Sequence, residues 1–222
     1  MTFIAKNFVN LFYPLHCAAC KVPLDAADKD RLCRSCKNQI KRNPKQPCAV
    51  CGLSAEKARA WSACLYEGAL KELIHHFKYG EKLALSDMLA GLMIGFIRDN
   101  GEIINDIDLI TFVPLYKMGL KKRHFNQSKI LAAAIAKEFG RPLSPVLEKT
   151  LHTKRQTELS RDGRLSNLAG AFRVKYGNRL DDMRLLLIDD VMTTGATLSE
   201  CANTLIAGGA AEVRCLTLAR GL

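Results

Sequence analysis

An α/β fold built on a parallel sheet is predicted by two observations. Strand and helix patterns alternate along most of the chain, and its clearest strand, Leu185 to Ile188, is a continuous apolar run of the kind buried on both faces. A third observation sets the function: that run ends in Asp189-Asp190 and a small loop, Val191 to Gly195, that opens into a helix.

The elements follow in order. Met1 to Leu15 carries Phe3, Ile4, Phe8, Val9, Leu11, Phe12 and Leu15, interrupted by Lys6, Asn7 and Asn10. This reads as a short amphipathic helix and not as a signal-peptide core. A basic, cysteine-rich stretch follows, and Ala63 to Tyr66 is then a short strand. Ala69 to Tyr79 and Lys82 to Arg98 are helices, and Leu109 to Val113 is a strand that stops at Pro114. Lys129 to Phe139 is a helix ended by Gly140 and Pro142. Phe172 to Lys175 and Val213 to Leu218 are strands flanking the Leu185 unit, whose helix runs from Thr197 to Ala207. The expected division is residues 1–60, an N-terminal helix with a basic metal-binding module, and residues 61–222, the α/β domain. Ligands bind such sheets at strand carboxyl ends, so the loops after Val113 and Ile188 are expected to face one ligand.

The loop after Ile188 has the chemistry of a sugar-phosphate cradle. Backbone N–H groups of Thr194 to Thr197, backed by the positive end of a helix, suit a phosphate dianion. Thr193, Thr194 and Thr197 add hydroxyls, Ala196 adds an N–H without bulk, and Gly195 allows close approach and a positive φ. Asp189 and Asp190 accept hydrogen bonds from vicinal sugar hydroxyls, and two adjacent carboxylates need a cation or hydroxyls nearby. The loop has neither the lysine of a nucleotide-binding P-loop nor the G-x-G-x-x-G spacing of dinucleotide sites. The expected ligand is therefore a ribose 5-phosphate.

Nine cysteines form the second signal. Cys17-x-x-Cys20 and Cys33-x-x-Cys36 are separated by twelve residues and close a four-thiolate shell around a structural zinc. Metal ligation would supply most of the folding free energy of so short and polar a segment. Cys48-x-x-Cys51 is an alternative pair, and Cys64, Cys201 and Cys215 read as buried thiols. The odd count and C-x-x-C spacing indicate a reducing cytoplasm rather than a disulfide framework.

The net charge of +11 is unevenly placed, with 11 Lys/Arg against 4 Asp/Glu in residues 1–60. Such an end is expected to contact a polyanion. No apolar span of 18 residues occurs, so membrane insertion is not expected. Residues 152–167 are polar and basic, with Lys154, Arg155, Arg161 and Arg164, and read as a mobile loop.

Ile188 to Thr197, I-D-D-V-M-T-T-G-A-T, resembles the ribose-phosphate signature of the type I phosphoribosyltransferases. Val113-Pro114-Leu115 with Arg123-His124-Phe125-Asn126-Gln127 is similar to the V-P…R-G-F-N-Q segment of the ComF/GntX branch. Gln156, Leu159, Arg161, Arg164 and Asn167 fall in its Q-x-x-L-x-x-x-x-R-x-x-N pattern. With the cysteine pairs, the resemblance covers nearly the whole chain. Two positions depart from it: His124 stands where the branch usually has glycine, and Trp61-Ser62-Ala63-Cys64 supplies one cysteine where members often carry a further C-x-x-C.

The resemblance implies binding of 5-phosphoribosyl 1-pyrophosphate (PRPP) with Mg²⁺. Asp189 and Asp190 would orient the ribose hydroxyls, Thr193 to Thr197 would fix the 5-phosphate, and Arg123 would neutralise the diphosphate. Displacement of pyrophosphate from the ribose C1 would pass through an oxocarbenium-like state, with residues 152–167 closing over it. It also implies a role with internalised single-stranded DNA, beside a helicase or strand-handling protein. Three readings follow: a competence-type protein binding PRPP and single-stranded DNA, a salvage enzyme joining a base or amine to ribose phosphate, and a nucleic-acid or protein binding module on a silent fold. The cysteine module favours the first or third, and the intact acid pair the first or second.

Overall fold

The computed structural model describes residues 15–24, 31–44, 47, 57–79, 82–116, 125–150 and 170–221. In chain order the elements are α1 (Arg34–Asn38), β1 (Ala58–Leu65), α2 (Gly68–Tyr79), α3 (Lys82–Asp99), β2 (Leu109–Phe112), α4 (Gln127–Phe139), β3 (Leu147–Lys149), β4 (Phe172–Val174), β5 (Arg184–Met192), α5 (Ala196–Ala207) and β6 (Glu212–Arg220). The expected N-terminal helix and residues 152–167 lie outside the described residues.

The main sheet has the order β1-β6-β5-β2, and every neighbouring pair is parallel. Both faces are covered, and the pleat divides the side chains between them. Leu186, Ile188, Leu216 and Leu218 join one core with Leu73 and Phe77 of α2, Leu89 and Met93 of α3, and Leu131 and Ile135 of α4. Leu185, Leu187, Val213 and Cys215 face the other way, onto Leu198, Cys201 and Leu205 of α5. Each such side chain contributes about 1.5–3 kcal/mol on burial, so unbroken apolar runs are what this sheet requires of its central strands.

The cysteine-rich module is joined to this body. Cys17, Leu32 and Cys36 belong to the same core as α2 and α3. The segment after α1 pairs with the outer edge of β1: Leu65 N–H donates to Lys41 O at 2.9 Å, and Asn43 N–H to Ala63 O at 3.0 Å. That pairing covers an edge otherwise open to association.

Two expectations are corrected. The first strand begins at Ala58, not Ala63, because its ladder with β6 runs from Ala58↔Val213 to Leu65↔Arg220. Arg59 obscures its start in the sequence, since its guanidinium reaches Glu212 at 2.9 Å and lies over the Trp61 ring. The strand at Phe172 does not flank the parallel sheet. It pairs antiparallel with β3 in a separate hairpin, where Phe172 is buried and Arg173 pairs with Glu148 at 2.6 Å on the exposed face. A strand with one apolar face fits an antiparallel pair over a helix better than a sheet interior.

Candidate functional site

At the carboxyl edge of the sheet, three residues, Thr193 to Gly195, separate the end of β5 from the start of α5. Gly195 is the N-cap, with φ of +78°, a conformation glycine takes without the Cβ strain of other residues. It gives the helix start no side-chain cap; Thr194 Oγ1 instead accepts from Ala196 N–H at 3.4 Å. The first turn of α5 contains no acidic residue, so its positive end has no resident counter-charge there. Around it lies a small concavity lined by Asp189, Met192, Thr193, Thr194, Gly195 and Thr197, among others.

Asp189 lines one side of the concavity, and Asp190 lies beside it on β5. Asp190 is buried and its carboxylate lies 3.0 Å from Lys78 Nζ, at the end of α2. Asp189 is half-buried and accepts from Ser128 Oγ at 2.8 Å and from Asp190 N–H at 2.8 Å. The cation and hydroxyl that two adjacent carboxylates require thus come from α2 and α4. Burial, and then the neighbouring Asp190 charge, push Asp189 up to about 7, while Ser128, the Asp190 N–H and Lys78 pull it back. Lys149 on β3 is lowered by burial, with Cys201 and Asp189 opposing the shift.

The loop after β2 is anchored at both ends. Val113 N–H donates to Ile188 O at 3.0 Å, and Asn126 Nδ2 donates to Val113 O at 3.0 Å. Asn126 also caps α4, accepting from Lys129 N–H at 3.2 Å. It holds Ser128 in the helix's first turn against Asp189. Gln127 Nε2 donates to Lys78 O at 3.4 Å, and Phe125 packs edge-on against Phe77. Residues 117–124, with Arg123, lie outside the described residues, as do Lys154, Arg155, Arg161 and Arg164.

The sequence alone marks neither Ser128 nor Lys149, and it gives Lys78 no partner. Their partners are set by tertiary packing: Ser128 and Asp189 stand 61 positions apart.

An expected pH effect follows from Asp189. With its folded value raised to about 7 from 3.8, the folded chain keeps a proton that the unfolded chain has released between those values. Stability therefore falls as pH rises through that window, at up to about 1.4 kcal/mol per unit. Asp189→Asn is expected to remove this slope, gaining at least about 1 kcal/mol above neutrality. Urea unfolding at acidic and alkaline pH measures it; equal slopes for both proteins would refute the assignment.

The cysteine cluster forms a second centre. The Sγ atoms of Cys17, Cys20, Cys33 and Cys36 lie within 4.8 Å of one another, and Cys20 and Cys33 are 3.7 Å apart. Tetrahedral zinc with bonds near 2.3 Å puts its sulfurs about 3.8 Å apart, so the set fits that ion. Cys33 N–H points at Cys17 Sγ and Cys36 N–H at Cys33 Sγ, both at 3.5 Å. Burial disfavours the Cys17 thiolate, but N–H groups of Cys20, Cys33 and Ala19 outweigh it and bring the thiol down to about 6. Burial, first, and the neighbouring sulfurs push Cys36 up. Negative charge concentrated on sulfurs in this way suits a divalent cation. Cys64, Cys201 and Cys215 are buried apart from the cluster, and burial pushes Cys64 up to about 11. Cys48 and Cys51 lie outside the described residues.

Comparison with known proteins matches two domain families to this chain. The double zinc ribbon domain family matches residues 8–65, and the phosphoribosyl transferase domain family matches residues 126–222. Competence protein F of Haemophilus influenzae is 29% identical over 226 residues, covering 94% of this chain and 98% of that protein. DNA utilization protein YhgH of Escherichia coli is 30% identical over 232 residues, covering 96% of this chain and 100% of that protein. A purine phosphoribosyltransferase structure from Pyrococcus horikoshii is similar at 20% identity over 62% of this chain and 74% of that one, with a TM-score of 0.38.

Proposed function

Because the chain belongs to the family of competence protein F and DNA utilization protein YhgH, we propose that it binds PRPP with Mg²⁺ and single-stranded DNA during DNA uptake. The observation that carries the reading is that Asp189 lines one concavity together with the Thr193 to Thr197 loop and the start of α5, a first turn with no acidic residue. The helix start and the Thr193 to Thr197 loop take the 5-phosphate. Asp189 and Asp190 take the two ribose hydroxyls, and Mg²⁺ bound with the ligand would supply charge neutralisation. Arg123 meets the diphosphate as a guanidinium fork. A structural zinc on Cys17, Cys20, Cys33 and Cys36 holds the amino-terminal module.

A salvage enzyme has no use for that module, whereas a strand-binding protein does. Arg34 and Lys37 project from α1 as exposed side chains, in the part of the chain with most of the excess positive charge. No helix among the described residues is long and apolar enough to cross a membrane. In this reading the protein works in the cytoplasm beside a helicase or other strand-handling protein.

The DNA half of the reading is tested by fluorescence anisotropy of a labelled single-stranded oligonucleotide across a salt series. Affinity is expected to fall steeply with salt, and an Arg34→Ala/Lys37→Ala variant is expected to flatten the log–log slope by about 0.7 for each phosphate contact removed. Salt-insensitive binding, or a slope unchanged by the double substitution, would overturn it.

A further inference from the structure

Lys78 is built into the carboxylate site with more care than a surface cation receives. Three contacts fix the last turn of α2. Phe77, fully buried, meets the Phe125 ring edge-on at 6.0 Å; Gln127 Nε2 donates to Lys78 O at 3.4 Å; and Lys21 Nζ lies 3.0 Å from His76 Nε2. The side chain emerging from this turn places Nζ 3.0 Å from Asp190 Oδ2, with only 20% and 12% of the two side chains exposed. An ion pair taken so far out of water recovers little net stability, because desolvating both charges offsets their attraction. Packing therefore gives no reason for a cation here, whereas the neighbouring Asp189 does.

Resting on the PRPP reading above, we propose that Lys78 is the positioning residue of the acid pair. Its ammonium, delivered by α2, orients Asp190 and supplies the positive charge that lets two adjacent carboxylates together receive the vicinal hydroxyls of one sugar phosphate. Without that charge, Asp190 would stand beside Asp189 with no counter-ion, and one of the two would take a proton. A protonated carboxyl donates its hydrogen and loses the charge assistance that strengthens bonds to hydroxyls. The groups facing Asp189 are Asp190 and its N–H on β5, Lys78 on α2 and Ser128 on α4. Lys149 on β3 and Cys201 on α5 also interact with it electrostatically. Lys78 is in direct contact with the pair, 3.0 Å from Asp190.

The test compares the zinc-loaded full chain with Lys78→Met and Lys78→Arg, by two readouts. Carbon-13 carboxyl NMR of the unliganded proteins follows the titration of Asp189, and calorimetry follows PRPP·Mg²⁺ binding on both sides of neutrality. Lys78→Met is expected to raise the Asp189 midpoint by about one unit. It should weaken PRPP binding about tenfold near neutrality, with recovery at alkaline pH, and Lys78→Arg should restore both. Should Lys78→Met lose its fold, Lys78→Gln carries the same comparison. An unmoved Asp189 midpoint in a folded variant would overturn the role of Lys78. So would an affinity loss equal at every pH, which is the mark of a merely structural contact. A raised midpoint with no PRPP binding by the unaltered protein would support the charge role of Lys78 and overturn the ligand reading instead.

Discussion

Replacing both carboxylates, Asp189→Asn with Asp190→Asn, is expected to lower PRPP affinity by about 2–3 kcal/mol, or about 30- to 140-fold. Asparagine keeps the shape and an accepting oxygen, so the Ser128 and Asp190 N–H contacts to residue 189 survive. What disappears is the negative charge that makes bonds to the two ribose hydroxyls roughly twice as strong as neutral ones. Asp190→Asn leaves the largely buried Lys78 ammonium without its carboxylate and is expected to cost stability, which removal of the Asp189 charge offsets in part at alkaline pH, so that the fold is expected to hold at reduced stability. Calorimetry of PRPP·Mg²⁺ with circular dichroism on the same samples checks both statements. An unchanged affinity in the folded variant would remove the pair from the binding site.

Cys36→Ser is expected to have the largest effect on stability. Cys36 is buried, accepts no replacement ligand from the described residues, and shares a core with α2 and α3. Loss of one thiolate opens the shell that holds a short polar segment together. The damage should spread, because Cys17 and Leu32 leave the same core and residues 41–43 no longer cover the edge of β1. The expected readout is zinc content below half that of the unaltered protein by elemental analysis, a melting temperature lower by roughly 10 °C, and more aggregation. Full zinc content and unchanged melting would show that Cys36 is not a ligand and would turn attention to Cys48 and Cys51.

Much of this architecture is legible in the sequence for a physical reason. Strands buried on both faces must be apolar throughout, so Leu185 to Ile188 and Val213 to Leu218 declare themselves without partners in view. Gly140 adopts the left-handed conformation that ends α4, and Asn126 caps its start, as local chemistry dictates. The paired C-x-x-C turns similarly carry their own geometry, and their four sulfurs do meet. The beginning of β1 is hidden because its stability comes from pairing with β6 and from an arginine that lies along a tryptophan. The strand at Phe172 is legible, whereas β3 and its antiparallel pairing with β4 are hidden, because a three-residue strand is too short for a periodic signal.

The candidate site is legible in its chemistry and not in its wiring. Two adjacent acids require a counter-charge and a hydroxyl, and that requirement is evident from Asp189-Asp190 alone. Which residues answer it depends on where α2 and α4 end in space, and no local pattern marks Lys78 or Ser128 for the task. The ends of the elements carry the function here, while their middles carry the fold.

The most direct measurement is a calorimetric titration of PRPP with Mg²⁺ into the zinc-loaded protein, followed by displacement with ribose 5-phosphate and, separately, with 2-deoxyribose 5-phosphate. A cradle that holds phosphate at the α5 start and both vicinal hydroxyls at Asp189 and Asp190 predicts PRPP binding that ribose 5-phosphate displaces. The deoxy sugar, lacking one hydroxyl, should compete at least about tenfold less well. No binding of PRPP, or equal competition by the two sugars, would contradict it.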